Sequence, residues 1–116
     1  MTLRIPDHDR LARMFQVLAV PTRVRIVQLL REHPLCVNAL ARCLGVTAAA
    51  VSQHLRVLRD AGVVTPIRRG YFIHYGLNNK TLNRWQAQSN VLLGPPARKG
   101  SKPCAKARTA ARTRKR

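Results

Sequence analysis

At 116 residues the chain has length for a single domain. Its 22 lysines and arginines face only four acids, Asp7, Asp9, Glu32 and Asp60, for a net charge of +18. That balance favours a polyanionic partner. It also leaves too few carboxylates for a hydrolytic metal centre, and with no phosphate-cradling glycine loop and no Ser or Cys set beside a base, catalysis is not expected.

Taken in chain order, Asp7 can cap a first helix running to about Leu18, with Leu11, Met14, Phe15 and Leu18 on one face. Pro21 suits the first turn of a second helix, capped near Val20 and reaching about Arg31. It is expected to turn Val24, Val27 and Leu29 or Leu30 toward the core. Val37, Leu40, Ala41 and Leu44 form the apolar stripe of a third helix, which must end at Gly45. Thr47 then offers a side-chain oxygen to open a fourth helix, whose stripe is Ala48, Val51, Leu55 and Leu58. Only Val46 separates cap from cap, so the two helices turn sharply and pack together.

Two β-rich runs follow, Val63 to Ile67 and Tyr71 to Tyr75, separated by Arg68, Arg69 and Gly70. Gly70 suits a tight hairpin turn and Pro66 confines its strand to an edge or irregular position. A last helix opens at Asn79 or Lys80 and continues through Leu82, Trp85 and Val91 to Leu93. The predicted fold is mainly α, about five helices with a two-stranded wing. Gly94-Pro95-Pro96 marks its end, giving a domain over 1–93 and a tail over 94–116. That tail carries nine basic residues and neither an acid nor a large apolar side chain. Such a composition predicts disorder, because it cannot bury enough surface to offset the entropy of ordering.

A helix-turn-helix followed by a basic wing is the order that lays one helix in the DNA major groove. The fourth helix leaves Ala49, Ser52, Gln53 and Arg56 opposite its apolar stripe, with Arg59 at the edge and Thr47 at its start. Small residues permit close approach, and Ser, Gln and Arg can read base edges or phosphates. Arg68 and Arg69 suit phosphate or minor-groove contact. The bland alternatives are a solvated helix face and a wing whose charge discourages edge pairing. Two other functions fit the same residues: a nucleoid-type architectural protein binding DNA broadly through charge, and a winged helix meeting an acidic protein. The opening ten residues lack a signal-peptide core, no apolar run reaches membrane-spanning length, and three cysteines make no disulfide framework. A cytoplasmic location without membrane contact is expected.

Leu18-Ala-Val-Pro-Thr-Arg23-Val-Arg-Ile-Val, Leu35-Cys36-Val37, Val51-Ser-Gln-His-Leu55, Leu58-Arg-Asp-Ala-Gly62-Val-Val and Gly70-Tyr-Phe-Ile-His-Tyr75 occur here in one order. In these residues the sequence resembles the ArsR/SmtB family of bacterial winged-helix regulators over roughly residues 8 to 93. The resemblance implies a homodimeric repressor, acting on double-stranded DNA in the bacterial cytoplasm and nucleoid, that leaves its operator when an inducer binds. It also implies dimerisation through the first and last helices, with Leu11, Phe15, Leu82, Trp85 and Leu92 as candidates. Simple packing within one chain accounts for those residues equally well. Dimerisation would help so small a domain bury its apolar surface.

For the inducer, Cys36 stands at the first cysteine of the family's Leu-Cys-Val-Cys-Asp-Leu metal motif. Asn38 and Ala39 replace the second cysteine and the aspartate. A thiophilic metal or metalloid such as arsenic(III) or cadmium(II) needs further donors. Cys43 lies about 10 Å further along a helix rising ~1.5 Å per residue, too far to share an ion or a disulfide. His8 or Cys104 could complete a composite site with Cys36, and thiol chemistry at Cys36 and Cys104 is an alternative. So is a structural role for Cys36 and Cys43 as small apolar residues. The last helix, with no Asp, Glu or His from Lys80 to Leu93, lacks the family's other metal site. His33 and His74 have no ligand-spaced partner, and His54 is expected to orient its helix.

Overall fold

The computed structural model describes residues 7–96; the basic segment from position 97, with Cys104, lies outside them. The described elements are α1 (Asp7–Leu18), α2 (Pro21–Glu32), β1 (Leu35–Cys36), α3 (Val37–Leu44), α4 (Ala48–Asp60), β2 (Val64–Arg69), β3 (Phe72–Leu77) and α5 (Asn79–Leu93). No helix among the described residues is long and apolar enough to cross a membrane.

The helix boundaries follow from local chemistry. Pro21 occupies the first turn of α2, where its missing N–H costs nothing and its φ is already helical. Asn78 caps α5, its side-chain oxygen accepting from the N–H groups of Lys80 at 3.1 Å and Thr81 at 3.5 Å. Asp7 lies inside the first turn of α1 beside Asp9, where both meet the positive end of the helix dipole. At the centre of the molecule, α3 ends on Gly45 at φ 68°, and the N–H groups of Gly45 and Val46 both reach the Ala41 carbonyl. Thr47 follows in extended conformation, its hydroxyl oxygen accepting from the Ala50 N–H at 3.1 Å. Gly45→Ala meets open space around its new Cβ, so its cost is that of the left-handed backbone alone. Urea unfolding should show a loss of about 1–2 kcal/mol.

The core is built from Ile26 and Leu30 of α2, Leu40 of α3, Val51, Leu55 and Leu58 of α4, and Val63 and Val64 entering the sheet. Leu82 and Trp85 of α5 pack on it while remaining partly accessible. Two expectations are corrected here. Ala48 is exposed, because the first turn of α4 stands clear of the bundle and the buried stripe starts at Val51. In α2 the buried pair is Ile26 and Leu30, one helical turn apart, which leaves Val24 39 % exposed.

The sheet also exceeds its prediction. Three antiparallel strands stand in the order β1-β3-β2, with β1 added to the wing through Leu35 opposite Tyr75 and Cys36 opposite His74. Two extended residues carry no detectable periodicity, so this strand is invisible until β3 offers it a free edge. The wing pairs Val64 with Leu77 through to Arg69 with Phe72, leaving Gly70 and Tyr71 as a two-residue turn. Gly70 has φ 63° and no non-glycine residue among the described ones has positive φ, the sign pattern of a type II′ hairpin. Pro66 sits in β2, an edge strand, as its missing N–H requires.

Candidate nucleic-acid interface

With Val51, Leu55 and Leu58 turned inward, helical periodicity forces the remaining side chains of α4 outward. Ala49, Ser52, Gln53, Arg56 and Arg59 are all exposed. They line an open groove of about 730 Å³, joined by Leu55, by Asp60 at the end of the helix, and by Tyr75 of β3. Asp60 therefore borders this surface, though from the end of α4 opposite Thr47. Thr47 is exposed, and with one lone pair of its oxygen capping the helix it keeps its hydroxyl proton and second lone pair for an external partner.

The wing arginines are both exposed, but they stand within β2 rather than in the turn. Alternation along a strand then sends them to opposite faces. Arg68 is opposite Ile73 and shares the face of Pro66, Tyr75 and Val64, the face that meets α4. Arg69 is opposite Phe72 and shares the other face with Ile67 and His74. The tip itself is Tyr71, fully exposed, followed by Phe72 at 62 %. Sequence reasoning missed these two because a β-rich aromatic run reads as strand interior; the shortness of the turn puts them at its apex.

The orientation of α4 rests on a polar clasp. Arg23 of α2 donates from Nε to Nδ1 of His54 at 3.3 Å and from Nη1 to the Val17 carbonyl at 3.2 Å. One guanidinium thus ties α4 and the end of α1 to α2. Arg23 and His54, fragments of two separate sequence motifs, meet here in a positioning role. An arginine donor at Nδ1 also requires that nitrogen to be unprotonated, which leaves the ring no free Nδ1 lone pair for a metal.

The remaining candidates are scattered. Cys36 is half-buried at the junction of β1 and α3, and Cys43 is exposed. His8 is largely solvent-exposed on α1, 3.7 Å from the Asp9 carboxylate. Among the described residues no three His, Cys, Asp or Glu side chains cluster as metal ligands. Leu82 and Trp85 contribute to the core, Leu11 is half-buried, and Phe15 and Leu92 are 38 % and 56 % exposed. His74, which has no ligand-spaced partner in the sequence, stands opposite Cys36 in the sheet.

Comparison with known proteins agrees with this architecture. A family model described as bacterial regulatory protein, arsR family, matches residues 20–65, the span from α2 to the start of the wing. The chain is 36 % identical over 91 residues to a transcriptional repressor SmtB homolog of Synechocystis, covering 78 % of this chain and 69 % of that protein. It is 44 % identical over 69 residues to the transcriptional repressor SmtB of Mycobacterium tuberculosis, covering 60 % of this chain. There it spans about half the relative's length, 51 %. Among solved structures, a possible transcriptional regulator for arsenical resistance aligns at TM-score 0.62 and 36 % identity, covering 84 % of this chain and 92 % of that one. Shared sequence and shared helix-turn-helix-wing architecture lead to one conclusion: the chain belongs to the arsR family of bacterial regulatory proteins.

Proposed function

We propose that this protein is a sequence-specific DNA-binding repressor that works as a homodimer in the bacterial cytoplasm. The observation that carries the reading is the outward face of α4, with Ser52, Gln53 and Arg56 exposed beside a wing bearing Arg68 on the same side. Dimerisation places two such helices on half-sites about one turn of DNA apart. The apolar side chains left accessible on α1 and α5, Phe15 and Leu92 together with Leu11, supply the contact. Leu82 and Trp85 support it from beneath while also serving the core.

The inducer in this reading is thiophilic: a soft metal or metalloid, arsenic(III) and cadmium(II) among them, or a thiol-reactive species, acting at Cys36. Cys36 joins the sheet to the first helix of the helix-turn-helix, where a change in its bonding reaches both DNA-facing elements. His8 and Cys104 are its candidate co-ligands. A neighbour in fold named for arsenical resistance supports this class of signal.

Fluorescence anisotropy of the reduced protein tests the proposal, comparing its own upstream DNA with a scrambled duplex. The same titrations are repeated with arsenite, cadmium, zinc and a persulfide donor. Tighter binding to the upstream DNA, released by a thiophile in wild type but not in Cys36→Ser, is the expected result. Equal affinity for both duplexes would replace repression with architectural binding.

That second reading draws on the nine basic residues beyond position 96. We assign them a nonspecific tether, and deletion of residues 97–116 should weaken binding to every sequence alike. The slope of log K against log salt should fall by about 0.9 for each phosphate that the tail neutralises. An unchanged slope rules the tether out.

A further inference from the structure

Cys36 and His74 are distant in sequence, but the antiparallel register of β1 and β3 sets them directly opposite each other. Directly opposed residues share one face of a sheet, with Cβ atoms ~4.5–5.5 Å apart. Two further observations make this more than a chance neighbour pair. The Nδ1 atom of His74 is buried and has no hydrogen-bond partner among the described residues. Cys36 occupies the N-cap position of α3, yet its side chain makes no capping hydrogen bond. A buried polar nitrogen without a partner costs about 1–3 kcal/mol and asks for an explanation.

We propose that Cys36 Sγ and His74 Nδ1 are the two ligands of a site for a soft monovalent d¹⁰ cation, copper(I). The proposal rests on the reading of Cys36 as sensor and narrows its ligand. Metal–sulfur and metal–nitrogen bonds of roughly 2.3 and 2.0 Å can span donors up to about 4 Å apart; the two atoms are not hydrogen-bonded to each other, and side-chain rotation from the cross-strand spacing brings them to that separation. No third His, Cys, Asp or Glu joins the pair among the described residues. A closed tetrahedral zinc site, or an arsenic(III) site, which wants several thiolates, needs donors beyond this pair, such as Cys104. One thiolate with one imidazole instead satisfies an ion content with two ligands in line, and thiolate sulfur selects copper(I) over harder ions. On binding, the Cys36 thiol releases its proton to solvent, and His74 offers the Nδ1 lone pair while its ring proton stays on Nε2.

The consequence is mechanical. His74 lies in the central strand of the sheet and Cys36 at the entry to the helix-turn-helix. An ion held between them fixes the wing relative to α3, and through the Gly45 turn relative to α4. That constraint limits how the wing and the recognition helix can adjust together on DNA.

The test uses the full chain, reduced and anaerobic, titrated with copper(I) in competition with a chromogenic copper(I) chelator. Wild type and a Cys43→Ser, Cys104→Ser double variant should each bind one ion per chain. Cys36→Ser should lose that ion. His74→Gln should bind at least about tenfold more weakly, the loss seen when even an outer-shell partner of a metal ligand is removed. In the wild type the His74 ring nitrogens, followed by ¹⁵N NMR, should report metallation at Nδ1, a readout independent of whether any variant folds.

Unchanged copper affinity in His74→Gln, or unmoved His74 nitrogens, overturns the pair. If arsenite or persulfide still releases DNA through Cys36 in that case, the sensor reading survives without it. Copper binding indifferent to Cys36→Ser overturns the pair too, and loss of thiophile response in wild type removes the sensor reading as well.

Discussion

Replacing Gln53 and Arg56 together by alanine is expected to erase most of the protein's preference for its operator over random DNA while leaving the fold intact. Both side chains are exposed on α4 and make no hydrogen bond or ion pair with any described residue, so their loss removes nothing from the core. A bidentate contact from arginine to guanine or from glutamine to adenine contributes about 1–3 kcal/mol of discrimination. Each single variant should therefore lower the specific-to-nonspecific ratio by roughly 5- to 150-fold. The two lie one helical turn apart and can share a base step, so the double variant will lose less than the product. Paired titrations on operator and scrambled duplex measure this directly. An equal loss on both would make Gln53 and Arg56 phosphate contacts, and the reading of sequence would have to pass to Ser52 or the wing.

Leu58→Ala should produce the largest loss of stability among substitutions on α4. Leu58 is fully buried, and its backbone carbonyl accepts from the Val63 N–H at 2.8 Å where the chain turns into the sheet. Its side chain belongs to the core cluster that includes Ile26 and Leu30 of α2 and Val63 and Val64 at the root of the wing. Truncating a buried leucine costs about 2–5 kcal/mol, including the cavity it leaves. For a domain of this size that is a large fraction of the ~5–15 kcal/mol that holds a typical fold together. Urea unfolding should show an earlier midpoint with an unchanged slope. Because Leu58 touches no outward position, operator affinity at low temperature should fall far less than stability. A midpoint within about 0.5 kcal/mol of wild type, the range usual for surface changes, would contradict the assigned packing.

The two outcomes separate two properties of one helix. Its outer face carries chemistry that the fold does not need, and its inner face carries packing that DNA never meets. Arg23 stands between these roles, since its bonds to His54 and to the Val17 carbonyl set the angle at which the outer face is presented. The same separation explains why the wing is read differently from α4. Its strand alternation divides Arg68 from Arg69, so only one of two adjacent arginines lies on the side of the groove.

The order of elements, the turn between α3 and α4 and the outward face of α4 were legible in the sequence because each rests on local chemistry. Gly45 permits the left-handed stop, Thr47 caps the next helix, and a 3.6-residue period fixes which α4 positions oppose Val51, Leu55 and Leu58. The strand β1, the apex position of Tyr71, the clasp of Arg23 on His54 and the pairing of Cys36 with His74 were not legible. Each depends on a register or a crossing angle between segments far apart in the chain. A two-residue strand has no period of its own, and a slip of one residue in β3 would have put His74 on the opposite face from Cys36. Sequence determined which surfaces this protein could offer; only the packed sheet and bundle decided which distant side chains share them.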